Sequence, residues 1–361
     1  MWRAARPDAI TVLEDKAAKK SLRRYFAVLQ DKKLAKFVLA KKLQADFTEV
    51  DSLTELLAEH AKVSSKFCSF EREIDDKKNS RNSTPSKSYL DLKIEIAHRI
   101  IQSCRFCARR CGVNRLTTGL GYCGCGSTMM VSSIFAHLGE EPELVPSGTI
   151  FTMGCTIRCH HCQNWTISQW KEDGTEYKPE ELAMEIEQLH RDGCRNVNLV
   201  GGEPTPWLKQ WLETFKHASV NVPVVWNSNS YYSIETARLL AGFVDVYLLD
   251  FKYGPANCAE RISDAVNYWQ ICTRNHLEAK KNGELIIRVL VLPKHLDCCV
   301  KPILEWISEN LGAETRINLL FQYRPEWHAH EIPELRRRLS KEEIEQALQL
   351  ARRAGLKNII T

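Results

Sequence analysis

Three cysteines near the middle of the chain have a spacing suited to binding metal. Cys155, Cys159 and Cys162 form the pattern CxxxCxxC. Three thiolates this close can hold one inorganic cluster, and an iron–sulfur cube held by only three cysteines leaves one iron free to bind another molecule. A structural zinc site would need a fourth ligand from elsewhere in the chain. His160 and His161, which lie inside the motif, could also be metal ligands.

A second motif, Gly201-Gly202-Glu203-Pro204, follows further along the chain. The two glycines allow the backbone to approach a ligand closely, and the carboxylate of Glu203 can accept hydrogen bonds from an ammonium group. A simple β-turn would account for the same residues. The motif alone therefore predicts either a ligand contact or a turn.

Both motifs come directly after segments that are expected to be strands. Short β-branched runs predict six strands, at residues 149–153, 196–200, 223–228, 245–250, 285–292 and 316–321. Amphipathic patterns predict helices between them, best seen at 179–192 and after Ser340, where Glu343 completes a capping box. Strands separated by helical crossovers favour a parallel sheet that curls into a full or partial barrel. In such a barrel, functional residues lie at the carboxyl ends of the strands.

The two motifs, placed after the first and second predicted strands, resemble those of the radical S-adenosylmethionine (SAM) superfamily. The sequence is most similar to the subgroup related to pyruvate formate-lyase activating enzyme, over residues 100–361. The resemblance implies an α/β fold with a partial (β/α)6 TIM-like barrel. It also implies a 4Fe–4S cluster on Cys155, Cys159 and Cys162, with SAM bound to the open iron. Reductive cleavage of SAM would give a 5′-deoxyadenosyl radical that abstracts hydrogen from a substrate.

The resemblance also implies roles for residues at the predicted strand ends. Gly201, Gly202 and Glu203 would bind the amino group of SAM, and His161 stands where the family usually has an aromatic residue against the adenine. The ribose or carboxylate of SAM, or the substrate, would contact four further polar residues, namely Asn227, Asp250, Lys252 and Arg288. Two simpler roles remain open, since Asn227 could satisfy turn backbone and Asp250 with Lys252 could be an ordinary ion pair.

A further group of cysteines lies upstream of the predicted barrel. Its members are Cys104, Cys107, Cys111 and Cys123, and Cys125 could replace Cys123. Four thiolates can close a site, and either zinc or a second iron–sulfur cluster would fit. A structural site is favoured because protein ligands could fill every position. The remaining cysteines, including Cys298 and Cys299, are expected to be small buried apolar residues.

Composition divides the chain into four parts. Residues 1–71 are basic and predicted to be helical, 72–88 form a polar linker, 89–147 form a Cys-rich segment, and 148–361 form the radical SAM core. The net charge is +5, while residues 1–46 alone hold 12 Lys/Arg and 5 Asp/Glu. The positive charge therefore belongs to the N-terminal part and not to the barrel.

Composition also limits the environment of the protein. No apolar run reaches the ~18 residues of a membrane helix, which argues against a membrane protein. Fourteen cysteines in a chain of 361 residues without an apolar signal segment indicate metal binding in a reducing compartment. We expect a cytoplasmic location, with organellar import left open.

These observations lead to one main functional hypothesis. The chain is expected to activate a glycyl-radical protein, or to modify another protein or peptide, using a one-electron donor of the flavodoxin or ferredoxin type. One alternative is radical modification of tRNA or a small molecule, in which the basic N-terminal part would help RNA docking. The other is a non-enzymatic zinc or electron-transfer module.

Overall fold

The computed structural model describes residues 2–76, 84–117 and 119–361. Within this part of the chain the helices are α1 (Trp2–Ala5), α2 (Asp8–Thr11), α3 (Lys16–Ser21), α4 (Arg23–Leu29), α5 (Lys36–Lys42), α6 (Leu53–Asp76), α7 (Tyr89–Ile101), α8 (Trp165–Ser168), α9 (Pro179–Arg191), α10 (Leu208–His217), α11 (Ile234–Leu240), α12 (Cys258–Ser263), α13 (Tyr268–Asn282), α14 (Lys301–Leu311) and α15 (Lys341–Arg353). The strands are β1 (Met129–His137), β2 (Ser147–Thr152), β3 (Thr175–Tyr177), β4 (Val197–Gly201), β5 (Val224–Ser228), β6 (Val246–Asp250), β7 (Glu284–Leu290), β8 (Arg316–Leu320) and β9 (Ile359–Ile360).

All nine strands belong to one sheet with the order β3-β1-β2-β4-β5-β6-β7-β8-β9. Strands β2 and β4–β9 run parallel to one another. Strand β1 pairs antiparallel with β2, and β3 pairs antiparallel with β1. Each of the six predicted strands overlaps one of the parallel strands β2 and β4–β8. The sequence did not predict β1, β3 and β9, which lie at the two edges of the sheet.

The central strands separate two apolar regions because alternate side chains face opposite sides of a sheet. Trp226, Tyr247 and Ile287 face outward and belong to the large core that includes the helices. Val225 and Leu248 face inward and belong to a second, smaller core inside the curved sheet. This arrangement confirms the predicted α/β fold with a partial barrel.

The N-terminal helices complete the inner core. Their apolar side chains pack against inward-facing residues of β5, β6 and β7, and they are Val12, Ala18, Leu22, Tyr25 and Phe26. The backbone amides of Arg24 and Tyr25 donate to the carboxylate of Glu284, the first residue of β7, at 2.6 and 2.7 Å. The amide of Lys36 donates to Asp245, directly before β6, at 3.0 Å. The N-terminal part therefore closes the barrel at the amino ends of its strands.

Glu284 makes the contact between the N-terminal helices and the barrel sensitive to pH. Burial raises its pKa from 4.5 to about 7, although the amides of Arg24 and Tyr25 lower it. A raised carboxyl pKa gives stability that is present below the unfolded-state pKa and is lost as the pH rises through the folded-state value. We expect the free energy of unfolding to fall by roughly 3 kcal/mol between about pH 4.5 and about pH 8, relative to Glu284→Gln. Urea unfolding of both proteins across this range tests the prediction, which parallel pH profiles would contradict.

The prediction of a polar linker at residues 72–88 is wrong for its first residues. Helix α6 continues to Asp76. Its last turn is anchored by the burial of Ile74 and by an ion pair of 2.6 Å between Arg24 and Asp75. Local polarity predicted a linker here because the partner of Asp75 lies 51 residues away in the chain.

The end of the predicted linker is also ordered. The amide of Ala45 donates to the carbonyl of Lys87 at 3.1 Å, and Ser88 forms the capping box of α7 with Asp91. The middle of the predicted linker, residues 77–83, lies outside the part of the chain that the structure describes. The segment 89–147 begins with α7, where the sequence predicts a short helix at 89–102, continues with cysteine-rich loops and also contains β1, which was not predicted.

Among residues 2–76, 84–117 and 119–361, no helix has the length and apolar character needed to cross a membrane.

Candidate active site

The CxxxCxxC motif forms a loop at the carboxyl end of β2. Cys155 and Cys159 are buried, and Cys162 is partly buried. The loop is attached to α12, because the amides of Arg158 and His160 donate to the carbonyls of Ser263 and Ile262 at 2.9 and 3.0 Å. Backbone hydrogen bonds from a neighbouring element therefore fix the conformation of the loop.

The three thiols have the environment of a metal-binding group. Burial raises the pKa of all three, for Cys159 to about 11, and neighbouring thiols raise the pKa of Cys155 and Cys159 further. The ammonium of Lys252 opposes this effect at Cys159 and Cys162. Buried, mutually repelling thiols are stabilised as thiolates when a metal replaces their protons. The donor set thus fits an iron–sulfur cluster with three cysteine ligands.

Polar side chains around the motif contact its sulfur atoms. The amide of Asn229 lies 3.5 Å from the sulfur of Cys155, and the hydroxyl of Ser168 lies 3.2 Å from the sulfur of Cys162. Hydrogen bonds to cysteine sulfur tune the electron affinity of a bound cluster. Sequence reasoning missed Asn229 and Ser168, although Asn229 directly follows a predicted strand.

The second motif lies beside the cysteine loop at the carboxyl end of β4. Gly201 has a φ of +138°, and a Cβ on this residue would lie 2.2 Å from the carbonyl oxygen of Thr152. A Cβ on Gly202 would lie 2.1 Å from the carbonyl oxygen of Gly154, directly before the first cysteine. The two glycines therefore allow β4 to pack against β2 and the cysteine loop.

Glu203 is held in a fixed orientation with one acceptor position left. One carboxylate oxygen accepts from Thr205 and from the hydroxyl of Ser228 (2.7 Å), and the other accepts from the amide of Asn229 (2.9 Å). Burial raises the pKa of Glu203, whereas these donors lower it. A carboxylate offers about four acceptor positions. The oxygen that faces Asn229 can therefore accept one further donor, such as an ammonium group.

The structure brings Asp250 and Lys252 together at the carboxyl end of β6. Their charged groups lie 2.6 Å apart and are largely buried. Burial opposes the charge of Lys252, but Asp250 and the nearby Cys159 outweigh it and raise the pKa of the ammonium. The ion pair that the sequence left open is present, and it also places a positive charge near the cysteine loop.

His161 is buried beside aromatic rings and not beside the thiols. Its Nε2 lies 2.9 Å from the hydroxyl of Tyr253, and its ring centre lies 6.0 Å from that of Tyr323. Burial, helped by Lys252, lowers the pKa of His161 to about 3, so that the ring is neutral at pH 7. The ring of His160 contacts the carbonyl of Ile262 at 3.0 Å. Both histidines thus have protein partners other than the cysteines.

Arg288 and Asn227 face the inside of the barrel, where Arg288 is already paired. Its guanidinium forms ion pairs with Glu140 and with Glu141 (2.7 Å), both from the loop after β1. Arg288 also donates to the side-chain oxygen of Asn227 at 3.3 Å. Contact of Arg288 with SAM stays a prediction, and its visible role is to hold the loop inside the barrel.

Arg288 should therefore contribute strongly to stability. Replacing Arg288 by methionine removes the guanidinium from two buried carboxylates, which keep only His137 and Asn318 as partners, and breaking a buried ion pair typically costs about 3–5 kcal/mol. We expect a loss of this size in the free energy of unfolding, measured by urea titration. Arg191→Met is the matched control because Arg191 is mostly exposed, and its loss should change stability little. Equal stability of the two variants would contradict this role.

The upstream cysteines are gathered next to the cysteine loop. Burial and the neighbouring thiols of Cys123, Cys104 and Cys111 raise the pKa of Cys107 to about 12. The thiol of Cys125 contacts Cys123, with a side-chain hydrogen bond that lowers the pKa of Cys123, and its sulfur lies 3.5 Å from the carbonyl oxygen of Cys123 and 3.7 Å from that of Met153. A metal site formed by Cys104, Cys107, Cys111 and Cys123 stays a prediction.

Sequence reasoning missed a third group of thiols. Cys258 and Cys298 come together with His295, and their possible ligand atoms lie within 4.8 Å of one another. Cys299 is adjacent, with its sulfur 3.8 Å from that of Cys298. As expected, Cys299 is buried in the apolar core and Cys298 packs against it, but their sulfurs also lie close to a further thiol and an imidazole. The local sequence His295-Leu-Asp-Cys298-Cys299 held a signal, but its partner Cys258 lies in a different loop.

These features define a parallel-sheet partial barrel with a three-cysteine loop at the carboxyl ends of its strands. The family model for the radical SAM superfamily matches residues 149–307. The Methanocaldococcus jannaschii protein named "Uncharacterized protein MJ0674" is 46% identical over 341 residues, which cover 93% of this chain and 98% of that protein. The chain belongs to the radical SAM superfamily. Membership implies an enzyme that uses a 4Fe–4S cluster and SAM.

More distant relatives are also found. "Uncharacterized protein MJ0808" of the same organism is 27% identical over 266 residues, 70% of this chain and 74% of that protein. Streptococcus suis SuiB, in a crystal structure with its precursor peptide SuiA, has 14% identity and a TM-score of 0.39 over 57% of this chain and 46% of SuiB. This chain therefore spans less than half of SuiB. A structure of TYW1 with a lysine-pyruvate adduct has 16% identity and a TM-score of 0.34 over 57% of this chain and 72% of that protein.

Proposed function

We propose that this protein cleaves SAM reductively and abstracts hydrogen from a carbon of a protein or peptide, as an activating enzyme for a glycyl-radical protein would. The observation that carries the proposal is the cysteine loop, which presents two buried thiols and one partly buried thiol beside the backbone of Gly202. When bound, the cluster and SAM supply the radical that removes the hydrogen atom. Cys155, Cys159 and Cys162 would hold the cluster and leave one iron open for SAM.

The chain's other residues would orient SAM and keep water out. Glu203 has one free acceptor position for the amino group, and hydrogen bonds from three residues hold the carboxylate in place. The neutral ring of His161 would stack with the adenine. Asp250 and Lys252 would contact the ribose and the carboxylate, and their burial strengthens each contact.

A surface beside the cysteine loop supports a peptide substrate. Trp165, three residues after Cys162, stacks on Trp327 with ring centres 4.6 Å apart. Both indoles are partly exposed, and the ammonium of Lys171 lies 5.9 Å from the ring of Trp327. Partly exposed aromatic side chains are enriched in surfaces that bind proteins. An extended peptide lying on these rings would reach the cysteine loop.

The position of the basic N-terminal part gives no support to an RNA substrate. Its helices close the barrel at the amino ends of the strands, as the contacts of Arg24 and Lys36 show. The cysteine loop lies at the carboxyl ends. RNA held by the basic helices would therefore lie on the opposite side of the barrel.

The remaining requirements are an electron donor and a reducing environment. Superfamily members need a one-electron donor, and we propose a flavodoxin or ferredoxin type. All fourteen cysteines are free thiols, which supports a reducing compartment such as the cytoplasm. We also propose that the upstream cysteines bind zinc or a second iron–sulfur cluster.

The test uses the full chain reconstituted with iron and sulfide in the absence of oxygen. With dithionite and SAM, we expect 5′-deoxyadenosine to form. The protein fraction of a cell extract should increase its rate, and protease treatment of that fraction should remove the increase. Absence of 5′-deoxyadenosine would overturn the proposed chemistry, whereas stimulation that is lost with ribonuclease would overturn the proposed substrate.

A further inference from the structure

A group of sulfur and nitrogen ligands lies outside the proposed SAM site. In the loops after β6 and β7, the possible ligand atoms of Cys258, His295 and Cys298 lie within 4.8 Å of one another, and the sulfur of Cys299 lies 3.8 Å from that of Cys298. We propose that these residues bind a single zinc ion, which anchors α12 and thereby supports the cysteine loop of the active site.

The distances between the sulfur atoms match a mononuclear site. The sulfurs of Cys258 and Cys298 lie 3.7 Å apart, and those of Cys298 and Cys299 lie 3.8 Å apart. Zinc with ligands at about 2.3 Å in a tetrahedron places neighbouring sulfurs about 3.8 Å apart. A disulfide would need an S–S distance of about 2.05 Å. An iron–sulfur cluster, with several metal ions, would hold its cysteines further apart. The spacing therefore favours one zinc ion.

His295 is oriented as a metal ligand. Its Nδ1 lies 2.8 Å from the carbonyl oxygen of Pro293, to which it can donate a proton. This hydrogen bond fixes the tautomer and leaves the lone pair of Nε2 for a metal, an arrangement common among zinc-binding histidines. The His295 side chain is 3% exposed, so water cannot replace the metal freely.

The backbone brings the two loops close together. Cys298 and Cys299 lie on a single π-helical turn, Leu296–Val300, a type of turn that often occurs at functional sites. A Cβ on Gly254 would lie 2.2 Å from the carbonyl oxygen of Cys298. Only glycine permits this approach between the loops after β6 and β7. Cys258, in the first of these loops, is thereby placed against Cys298 in the second.

A charged group near the site can balance the charge of a zinc ion bound by three thiolates. Zinc with three thiolates and one neutral histidine carries a net charge of −1. The guanidinium of Arg261 lies 3.4 Å from Nε2 of His295 and 2.6 Å from Glu334. Arg261 can keep its ion pair with Glu334 when the metal takes the lone pair of His295. Its positive charge would then offset the excess negative charge.

The site connects to the active site through α12. Cys258 is the first residue of α12, and Ser263, the last, accepts the amide of Arg158 from the cysteine loop at 2.9 Å. Ile262 accepts the amide of His160 in the same way, at 3.0 Å. A zinc ion on Cys258 would therefore hold the helix that holds the cysteine loop.

The experiment measures zinc in the full chain purified without oxygen. We expect Cys298→Ser to lose about one zinc per chain relative to the wild type. Cys272→Ser should keep the wild-type content, because Cys272 is buried at another place, beside His276. Measuring the difference separates this site from any zinc on the upstream cysteines. An unchanged zinc content in Cys298→Ser would overturn the proposal, as would a wild-type chain that contains no zinc.

A second measurement keeps the test valid if Cys298→Ser fails to fold. The native wild-type chain is treated with iodoacetamide before and after zinc removal with a chelator, and modified cysteines are located by mass spectrometry. Cys298 is only partly buried, so it should react at least about tenfold faster after zinc is removed. Equal rates, or a disulfide between Cys258 and Cys298, would overturn the proposal. Neither measurement depends on SAM cleavage, so the result is independent of the proposed function.

Discussion

Cys159→Ser should reduce 5′-deoxyadenosine formation from SAM to less than about one hundredth of the wild-type rate. Loss of a residue that only supports a metal ligand typically costs 10- to 100-fold, and loss of a ligand should cost more. Serine keeps the size of the side chain but is a poor ligand for iron. The reconstituted chain should also lose most of the iron of the active-site cluster, measured together with 5′-deoxyadenosine under anaerobic conditions.

Cys194→Ser is the matched control. Cys194 is also buried, but it lies after α9, near Gly148 and away from the carboxyl ends of the strands. The control should retain both the iron content and the rate of 5′-deoxyadenosine formation. Normal product formation by Cys159→Ser, or an equal loss in both variants, would refute the ligand assignment.

The sequence predicted the centre of the sheet better than its edges. Strands such as β5 and β6 are buried on both sides, so their runs of β-branched and aromatic residues are continuous. Strand β1 is partly exposed and irregular, with a register shift between Val131 and Ser133, and it lies in the segment 89–147, for which the sequence predicted no strand. Strand β9 has only two residues, too few to give a pattern.

Sequence reasoning could predict the helical N-terminal part but not its partner. Amphipathic spacing shows that a helix buries one face, yet it does not show which surface covers that face. Tyr25 packs in the inner core of the barrel. Its hydroxyl donates to the carbonyl oxygen of Glu143 and accepts from the side-chain amide of Asn196, and both residues are more than 100 positions away in the chain. Such contacts depend on the complete fold.

The same limit applies to the candidate site. Cys155, Cys159 and Cys162 lie on one loop, so their spacing alone predicted a cluster. The partners of Arg288 are Glu140 and Glu141, which lie in the loop after β1, a strand that the sequence did not predict. Strands β6 and β7 are neighbours in the sheet, so the segments that follow them meet. His295 therefore lies beside Cys258, although 36 residues separate these two residues in the chain. Local motifs were therefore visible in the sequence, whereas ligands from separate loops were not.

Gly202→Ala should disrupt the active site without changing any proposed ligand of the cluster. The new Cβ would lie 2.1 Å from the carbonyl oxygen of Gly154 and 2.8 Å from the Cα of Ser168. Both are backbone atoms, so the cysteine loop must move away from β4. Overpacking against well-packed neighbours typically costs about 1–3 kcal/mol, and backbone contacts place this variant at the upper end. We expect a fall of about 3 kcal/mol in the free energy of unfolding and a loss of most cluster iron after reconstitution.

Gly126→Ala provides the comparison for this effect. A Cβ there would meet only Leu120, with its nearest atom 3.7 Å away, which is ordinary van der Waals contact. Urea unfolding and iron analysis of this variant should both resemble the wild type, because no backbone must move. The two substitutions add the same methyl group, so a difference between them reports the close approach of β4 to the cysteine loop. If Gly202→Ala bound iron as fully as Gly126→Ala, the loop would not depend on that approach, and the conformation inferred for the three thiols would need to be revised.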